Sequence, residues 1–122
     1  MYRVTVEASF SAAHRLWLAD GSYEPVHGHD WYVTARYAGQ RLNAQGLLVD
    51  FIQLRTALRD VVRLLDHTDL NANPLLAGRN PSAECVAQAI YENLATAPGG
   101  ALLTSVRVTE EPGCAAEYLR DE

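Results

Sequence analysis

Apolar and polar residues alternate over the first ten positions of the chain. The apolar members of this alternation are Tyr2, Val4, Val6, Ala8 and Phe10. A period of two is typical of a strand with one buried face. A second alternation predicts another strand that ends near Gly39, and its apolar members are Trp31, Val33, Ala35 and Tyr37.

The period changes after Asp50, a residue that suits the N-cap of a helix. Apolar residues then recur at the spacing of one helix face, at Phe51, Leu54, Leu58, Val61, Val62 and Leu65. A second helix is predicted from Asn80-Pro81-Ser82 to about Ala95, with Pro81 in its first turn or Ser82 as its N-cap. Pro98-Gly99-Gly100 ends that helix.

Two further strands are predicted at 103–109 and 116–120, joined by the turn residues Glu111-Pro112-Gly113. Hairpins that flank two helices indicate a single α+β domain over residues 1–122, with a four-stranded antiparallel sheet and both helices inserted between the hairpins. A small sheet of this kind has two edges that need covering. We therefore expect several chains to assemble into a barrel.

Composition and charge narrow the possible partners. The net charge is −5 and the chain has no lysine, so clustered cations for nucleic acid are not expected. No segment reaches the roughly 20 apolar residues of a membrane span. We expect no signal peptide and a cytoplasmic location. The two cysteines, Cys85 and Cys114, do not form a disulfide framework.

Three histidines stand where the first two strands meet. His27 and His29 flank Gly28, so in an extended chain both imidazoles point to the same side. His14 ends the first strand-like run, and pairing of the two strands would bring it close to the others. Three neutral imidazoles with a fourth position open suit a catalytic zinc ion. Histidine pairs also occur on surfaces and as ordinary core residues, so the spacing alone leaves both interpretations open.

The chain resembles the family of 6-pyruvoyltetrahydropterin synthase and 6-carboxytetrahydropterin synthase. The matching motifs follow the family's order over nearly the whole chain: Phe10-Ser11-Ala12-Ala13-His14, His27-Gly28-His29, Gly46-Leu47-Leu48-Val49-Asp50-Phe51, Leu65-Asp66-His67-x-x-Leu70-Asn71, Asn80-Pro81-Ser82-Ala83-Glu84 and Val106-x-Val108-x-Glu110. The resemblance implies the tunnelling fold, with a homo-oligomeric barrel, expected to be a hexamer built from trimers. It also implies one zinc ion held by His14, His27 and His29, and a reduced pterin substrate, typically 7,8-dihydroneopterin triphosphate.

The resemblance also assigns roles to residues that have simpler explanations. Asp66 and His67 correspond to two members of a catalytic triad, although such a pair also suits a helix C-terminus. Glu110 corresponds to the carboxylate that binds the pterin ring, yet it is also an acidic residue next to a turn. Ser82 and Glu84 would line the pterin site, or they would cap the second helix and favour its dipole.

The chain departs from the family pattern at the third triad member. The family has a cysteine four or six positions before His27, where this chain has Tyr23 and Gly21. Glu24 stands three residues before His27, as in a subgroup that cleaves the substrate side chain to 6-hydroxymethyl-7,8-dihydropterin. Glu24 is therefore our candidate for the catalytic base, the alternative being an ordinary loop carboxylate before Pro25.

Three interpretations follow from the resemblance. The first is a zinc-dependent pterin lyase that uses Glu24. The second is an enzyme similar to 6-carboxytetrahydropterin synthase whose activity is altered or weakened by loss of the cysteine. The third is a zinc-bearing pterin-binding protein without catalysis.

Overall fold

The computed structural model describes residues 1–121. Five strands and two α-helices make up the domain, in the order β1 (Tyr2–His14), β2 (His27–Gly39), α1 (Phe51–Arg63), β3 (Thr68–Asp69), α2 (Ala83–Ala95), β4 (Leu103–Glu111) and β5 (Cys114–Leu119). Short 3₁₀ turns at 70–72, 74–76 and 100–102 connect them. None of the helices within the described residues is long and apolar enough to span a membrane.

The strands form one sheet in the order β3-β1-β2-β4-β5. β1 and β2 are antiparallel in an unbroken register from Tyr2↔Gly39 to His14↔His27, and β2–β4 and β4–β5 are also antiparallel. The predicted α+β class, with two helices between two hairpins, is confirmed. The sheet has one strand more than predicted, because the two residues of β3 pair in parallel with Ala12 and Ala13.

Both helices pack on one face of the sheet. The core combines the inward residues of the strands with the buried face of each helix, including Trp31, Leu54, Leu58 and Ile90, all 0% exposed. Trp31 stacks on Phe10 with 5.7 Å between ring centroids. Its indole N–H donates to the Ala12 carbonyl oxygen at 3.2 Å. Trp31 thereby fixes the end of the hairpin that carries the histidines.

The predicted helix starts are confirmed by their caps. The Asp50 carboxylate accepts from the Ile52 amide at 2.8 Å, and the Ser82 hydroxyl accepts from the Cys85 amide at 3.2 Å. Each cap satisfies an amide that has no partner within its own helix. The Ser82 cap sets the start of α2 beside the histidines.

Candidate metal and substrate site

The ends of β1 and β2 bring three imidazoles together. His14 pairs with His27 across the strands, and Ala12 pairs with His29. One ring nitrogen from each histidine lies within 4.8 Å of the others. The His14 side chain is 1% exposed, and Trp31 packs edge-on against its ring. The geometry expected from the His27-Gly28-His29 spacing is therefore present.

The tautomers of two of these rings follow from their backbone partners. His14 Nδ1 lies 2.7 Å from the Pro81 carbonyl oxygen, and His27 Nδ1 lies 2.9 Å from the Pro25 carbonyl oxygen. A carbonyl oxygen only accepts, so each Nδ1 carries a proton and each Nε2 of the neutral ring presents a lone pair. These two Nε2 atoms are 3.0 Å apart. At this distance the two nitrogens can share either a proton or a metal ion.

The third ring and a nearby carboxylate favour a metal ion at this position. His29 Nε2 is buried and has no hydrogen-bond partner among the described residues. Glu110 Oε1 lies 3.3 Å from His14 Nε2. An unpaired buried nitrogen is costly unless something binds it. The donor set of three imidazole nitrogens fits a metal ion, and backbone carbonyls already hold two of the rings as they do in metal sites.

Glu24 lies beside the histidines on the loop between β1 and β2. Its Oε1 lies 3.8 Å from His27 Nε2 and accepts a hydrogen bond from the Leu16 amide at 3.0 Å. Glu24 is half-buried, and it is not a freely solvated loop carboxylate. At one of the two positions where the family pattern has a cysteine, the Tyr23 ring instead receives the Arg15 guanidinium, 4.2 Å from its centroid.

Asp66 and His67 form a second polar pair at the opposite edge of β1. Asp66 Oδ1 accepts from the Ser11 amide at 2.9 Å, and its Oδ2 lies 3.0 Å from His67 Nδ1. The hydrogen bond from Ser11, followed by that from His67, holds the pKa of the Asp66 carboxyl below its ordinary value. His67 has φ +57° and an 82% exposed side chain. α1 ends at Arg63, and the Asp66 amide donates to the carbonyl oxygen of Val62 in its last turn, so the pair also lies at the C-terminus of that helix.

Two grooves adjoin the three histidines. The first is lined by His29 and His67, together with Ser11, Asp30, Thr68 and Asp69. The second contains the three residues expected at the pterin, Ser82, Glu84 and Glu110. Cys114 also lines this second groove, at the start of β5. The sequence did not predict that Cys114 lies here, because Cys114 is far along the chain from the histidines.

The two halves of the expected catalytic set remain separate in the single chain. The polar contacts of Glu24 are with Leu16 and His27, whereas those of Asp66 and His67 are with each other and Ser11. Among residues 1–121, no hydrogen bond or ion pair joins Glu24 to His67. The sequence-based expectation that these residues act as partners stays a prediction.

Comparison with known proteins places the chain in a family. The profile of the family described as 6-pyruvoyl tetrahydropterin synthase matches residues 3–121. The chain belongs to the 6-pyruvoyl tetrahydropterin synthase family. A 6-carboxy-5,6,7,8-tetrahydropterin synthase from Synechocystis sp. is 34% identical over 98% of this chain and 94% of its own length. A dihydroneopterin monophosphate aldolase from Pyrococcus furiosus is 32% identical over 75% of this chain and 74% of its own length.

Solved structures of family members share the fold. The 6-pyruvoyl tetrahydropterin synthase of Caenorhabditis elegans superposes with a TM-score of 0.84 at 24% identity, covering 99% of this chain and 98% of that one. The Plasmodium vivax 6-pyruvoyltetrahydropterin synthase gives 0.80 at 21% identity, with 99% and 98% covered. The tunnelling fold expected from the sequence is therefore confirmed.

Proposed function

We propose that the chain is a zinc-dependent pterin lyase that cleaves the side chain of 7,8-dihydroneopterin triphosphate, or a close relative, to 6-hydroxymethyl-7,8-dihydropterin. The observation that carries this proposal is the convergence of imidazole lone pairs, 3.0 Å apart at His14 and His27, beside the carboxylates of Glu24 and Glu110. His14, His27 and His29 would hold the zinc. When bound, zinc would polarise side-chain oxygens of the substrate as a Lewis acid.

Cleavage between the first two side-chain carbons needs one proton removed and one supplied. A base takes the proton from the hydroxyl of the second carbon, which becomes an aldehyde as the carbon–carbon bond breaks. The bonding electrons pass to the first carbon and are delocalised into the pterin ring, and a proton then reaches that carbon. Glu24 is the proposed base or proton shuttle, because its carboxylate lies beside an imidazole that would hold the zinc.

Glu110, Ser82 and Glu84 are proposed to bind the pterin in the groove they share. A carboxylate such as Glu110 can accept two hydrogen bonds at once from the ring N–H and the exocyclic amine. Asp66 and His67 are proposed as the other proton-transfer pair. The Asp66 carboxylate orients His67 through Nδ1, which leaves His67 Nε2 free to act on substrate.

Relatives support cleavage of the side chain. The Pyrococcus furiosus relative, which is 32% identical to this chain, is a dihydroneopterin monophosphate aldolase. An aldolase cleaves a carbon–carbon bond, so this relative supports the same reaction type here. Plasmodium vivax structures include variants in which a glutamate described as a catalytic residue is replaced by alanine or cysteine. That description supports a catalytic glutamate in this fold.

The alternative function is that of a 6-carboxytetrahydropterin synthase-like enzyme with altered or weak activity. The Synechocystis relative favours it, since the match covers 98% of this chain. The third candidate, a zinc-bearing pterin-binding protein, would hold the same ligand at the same groove without turnover. Product analysis separates these functions.

The experiment is turnover by zinc-loaded wild type and by Glu24→Gln on dihydroneopterin triphosphate. Loss of a general base should reduce turnover by about 100-fold or more, while zinc and pterin remain bound. Glu7→Gln is the matched control, because Glu7 is an exposed carboxylate within β1. If Glu24→Gln turns over substrate as fast as wild type, Glu24 is an ordinary loop carboxylate and not the base. Binding of pterin by wild type without any product would favour the binding protein.

A further inference from the structure

Two asparagine side chains extend β1 beyond its last paired residue. The Asn71 carboxamide accepts from the Arg15 amide at 2.8 Å and donates to the Arg15 carbonyl at 2.7 Å. The Asn80 carboxamide does the same for Trp17, at 3.0 Å and 3.1 Å. Each carboxamide thus provides the donor and acceptor that a neighbouring strand would provide.

The residue between these two faces the other way and is held by Glu24. The Leu16 amide donates to Glu24 Oε1 at 3.0 Å, and the Leu16 carbonyl accepts from the Glu24 amide at 3.0 Å. Both backbone groups of Leu16 are therefore committed to Glu24. Any shift of residues 15–17 moves the donor that fixes the Glu24 carboxylate, 3.8 Å from His27 Nε2.

We propose that Asn71 and Asn80 are positioning residues that set the place of the Glu24 carboxylate through the Leu16 amide. This inference rests on the proposed function, in which Glu24 transfers a proton. Residues 15–26 form no named strand or helix, and backbone contacts cross the loop between Leu16 and Glu24, Trp17 and Tyr23, and Leu18 and Ser22. A loop of this kind needs external support to hold a proton-transfer group to within about 0.5 Å.

The two asparagines connect Glu24 to the remaining parts of the site. Asn71 follows β3 and lies four residues after His67. Asn80 precedes Pro81, whose carbonyl accepts from His14 Nδ1. Hydrogen bonds from Asn71 and Asn80 thus attach the loop to the Asp66–His67 edge on one side and to the start of α2 on the other.

The test replaces one amide donor at a time. In Asn80→Asp and Asn71→Asp the acceptor to the loop amide is kept, but an oxygen faces the loop carbonyl where a donor stood. The matched control is Asn43→Asp, because Asn43 uses only its Oδ1, which accepts from the amides of Gln45 and Leu47. We expect both test variants to exchange the amides of residues 15–17 faster, and to turn over substrate about tenfold to 100-fold more slowly. Zinc content should stay at the wild-type level, and Asn43→Asp should match wild type in every measurement.

A double-mutant cycle identifies the route of the effect. In the Glu24→Gln background, Asn80→Asp should cause no further loss of turnover, because the two changes act on one group. An equal loss in both backgrounds would overturn the inference and indicate general loosening. Asn71→Asp gives the same test if Asn80→Asp does not fold.

Hydrogen exchange separates failure of this inference from failure of the proposed function. Unchanged exchange at residues 15–17 in both asparagine variants overturns the positioning role whatever the activity. If exchange rises as expected but Glu24→Gln turns over at the wild-type rate, the asparagines position Glu24 and the proposed base is wrong.

Discussion

At the scale of single residues, the histidine site was the most predictable part of the molecule. Alternate residues of a strand share a face, so the spacing of His27 and His29 sufficed to place their rings together. The fixed tautomers of His14 and His27 could not be predicted, because the carbonyls of Pro81 and Pro25 that set them are positioned only by the fold. The position of Glu24 could not be predicted either, because it depends on an irregular loop whose sequence has no hydrophobic period.

Zinc retention should depend on the three converging imidazoles. We expect about one zinc per chain in wild type and loss of most of it in His27→Ala, since two imidazoles hold the ion poorly against a chelator. His67→Ala is the matched control and should keep its zinc, because His67 is 82% exposed and contacts Asp66. Metal analysis of the purified proteins is the measurement. Full zinc in His27→Ala would refute the assignment.

Pterin affinity should depend on the charge of Glu110. In Glu110→Gln one acceptor oxygen becomes an amide donor, and a charge-assisted hydrogen bond worth about 1.5–3 kcal/mol is lost. We expect affinity in a fluorescence titration to fall at least severalfold with zinc content unchanged. Glu111→Gln, one residue along and exposed, is the control. Equal affinities for the two variants would make Glu110 an ordinary surface acid.

At the scale of elements, periodicity predicted the long strands and both helices but missed β3. Only two residues, Thr68 and Asp69, pair with β1, which is too few to show a period. What sets β3 in place is non-local: the Ser11 amide donates to Asp66 and the His67 amide donates to the Ser11 carbonyl. The same contacts hold His67 in its left-handed conformation.

Within β2, Tyr37 combines full burial with an unused hydroxyl. Its side chain is 0% exposed, and its OH has no hydrogen-bond partner among the described residues. Burial raises the pKa of Tyr37 to about 12. The folded chain keeps this phenol neutral where the unfolded chain ionises it. The ionisation of Tyr37 therefore leaves the free energy of unfolding unchanged below about pH 10 and lowers it as the pH rises toward about 12.

We expect Tyr37→Phe to raise the free energy of unfolding by about 1 kcal/mol at pH 7, because it removes a buried hydroxyl without a partner. Above pH 10, the free energy of unfolding of this variant should also decline less steeply than that of wild type. Tyr91→Phe is the control, since the Tyr91 hydroxyl donates to the Leu103 carbonyl at 3.4 Å. Urea unfolding at fixed protein concentration measures both. A loss of stability in Tyr37→Phe as large as in the control would show that the hydroxyl has a partner.

At the scale of the whole molecule, the sheet leaves backbone groups unpaired at both edges. β3 covers β1 only at Ala12 and Ala13, and β5 pairs on one side with β4. Tyr2 and Leu119, near the open ends of these edges, are 49% and 62% exposed. Exposed edges are usually covered or paired in native proteins. The predicted sheet edges indicated assembly, but the number of chains cannot be derived from the periodicity of one chain.

We expect a trimer-based oligomer in solution, with six chains the preferred number. Closure of the β1 and β5 edges between chains would satisfy their backbone groups and form the barrel. In such an assembly we expect pockets between the chains. Light scattering at micromolar concentration is the measurement. A stable monomer would contradict the expectation.

The central claim is that this chain cleaves a pterin side chain at the histidine site. The most direct measurement is identification of the product after zinc-loaded wild type is incubated with 7,8-dihydroneopterin triphosphate and, separately, its monophosphate. We expect 6-hydroxymethyl-7,8-dihydropterin to form, and to stop forming when a chelator removes the metal. Formation of 6-carboxytetrahydropterin instead, or turnover that persists without metal, would contradict the claim.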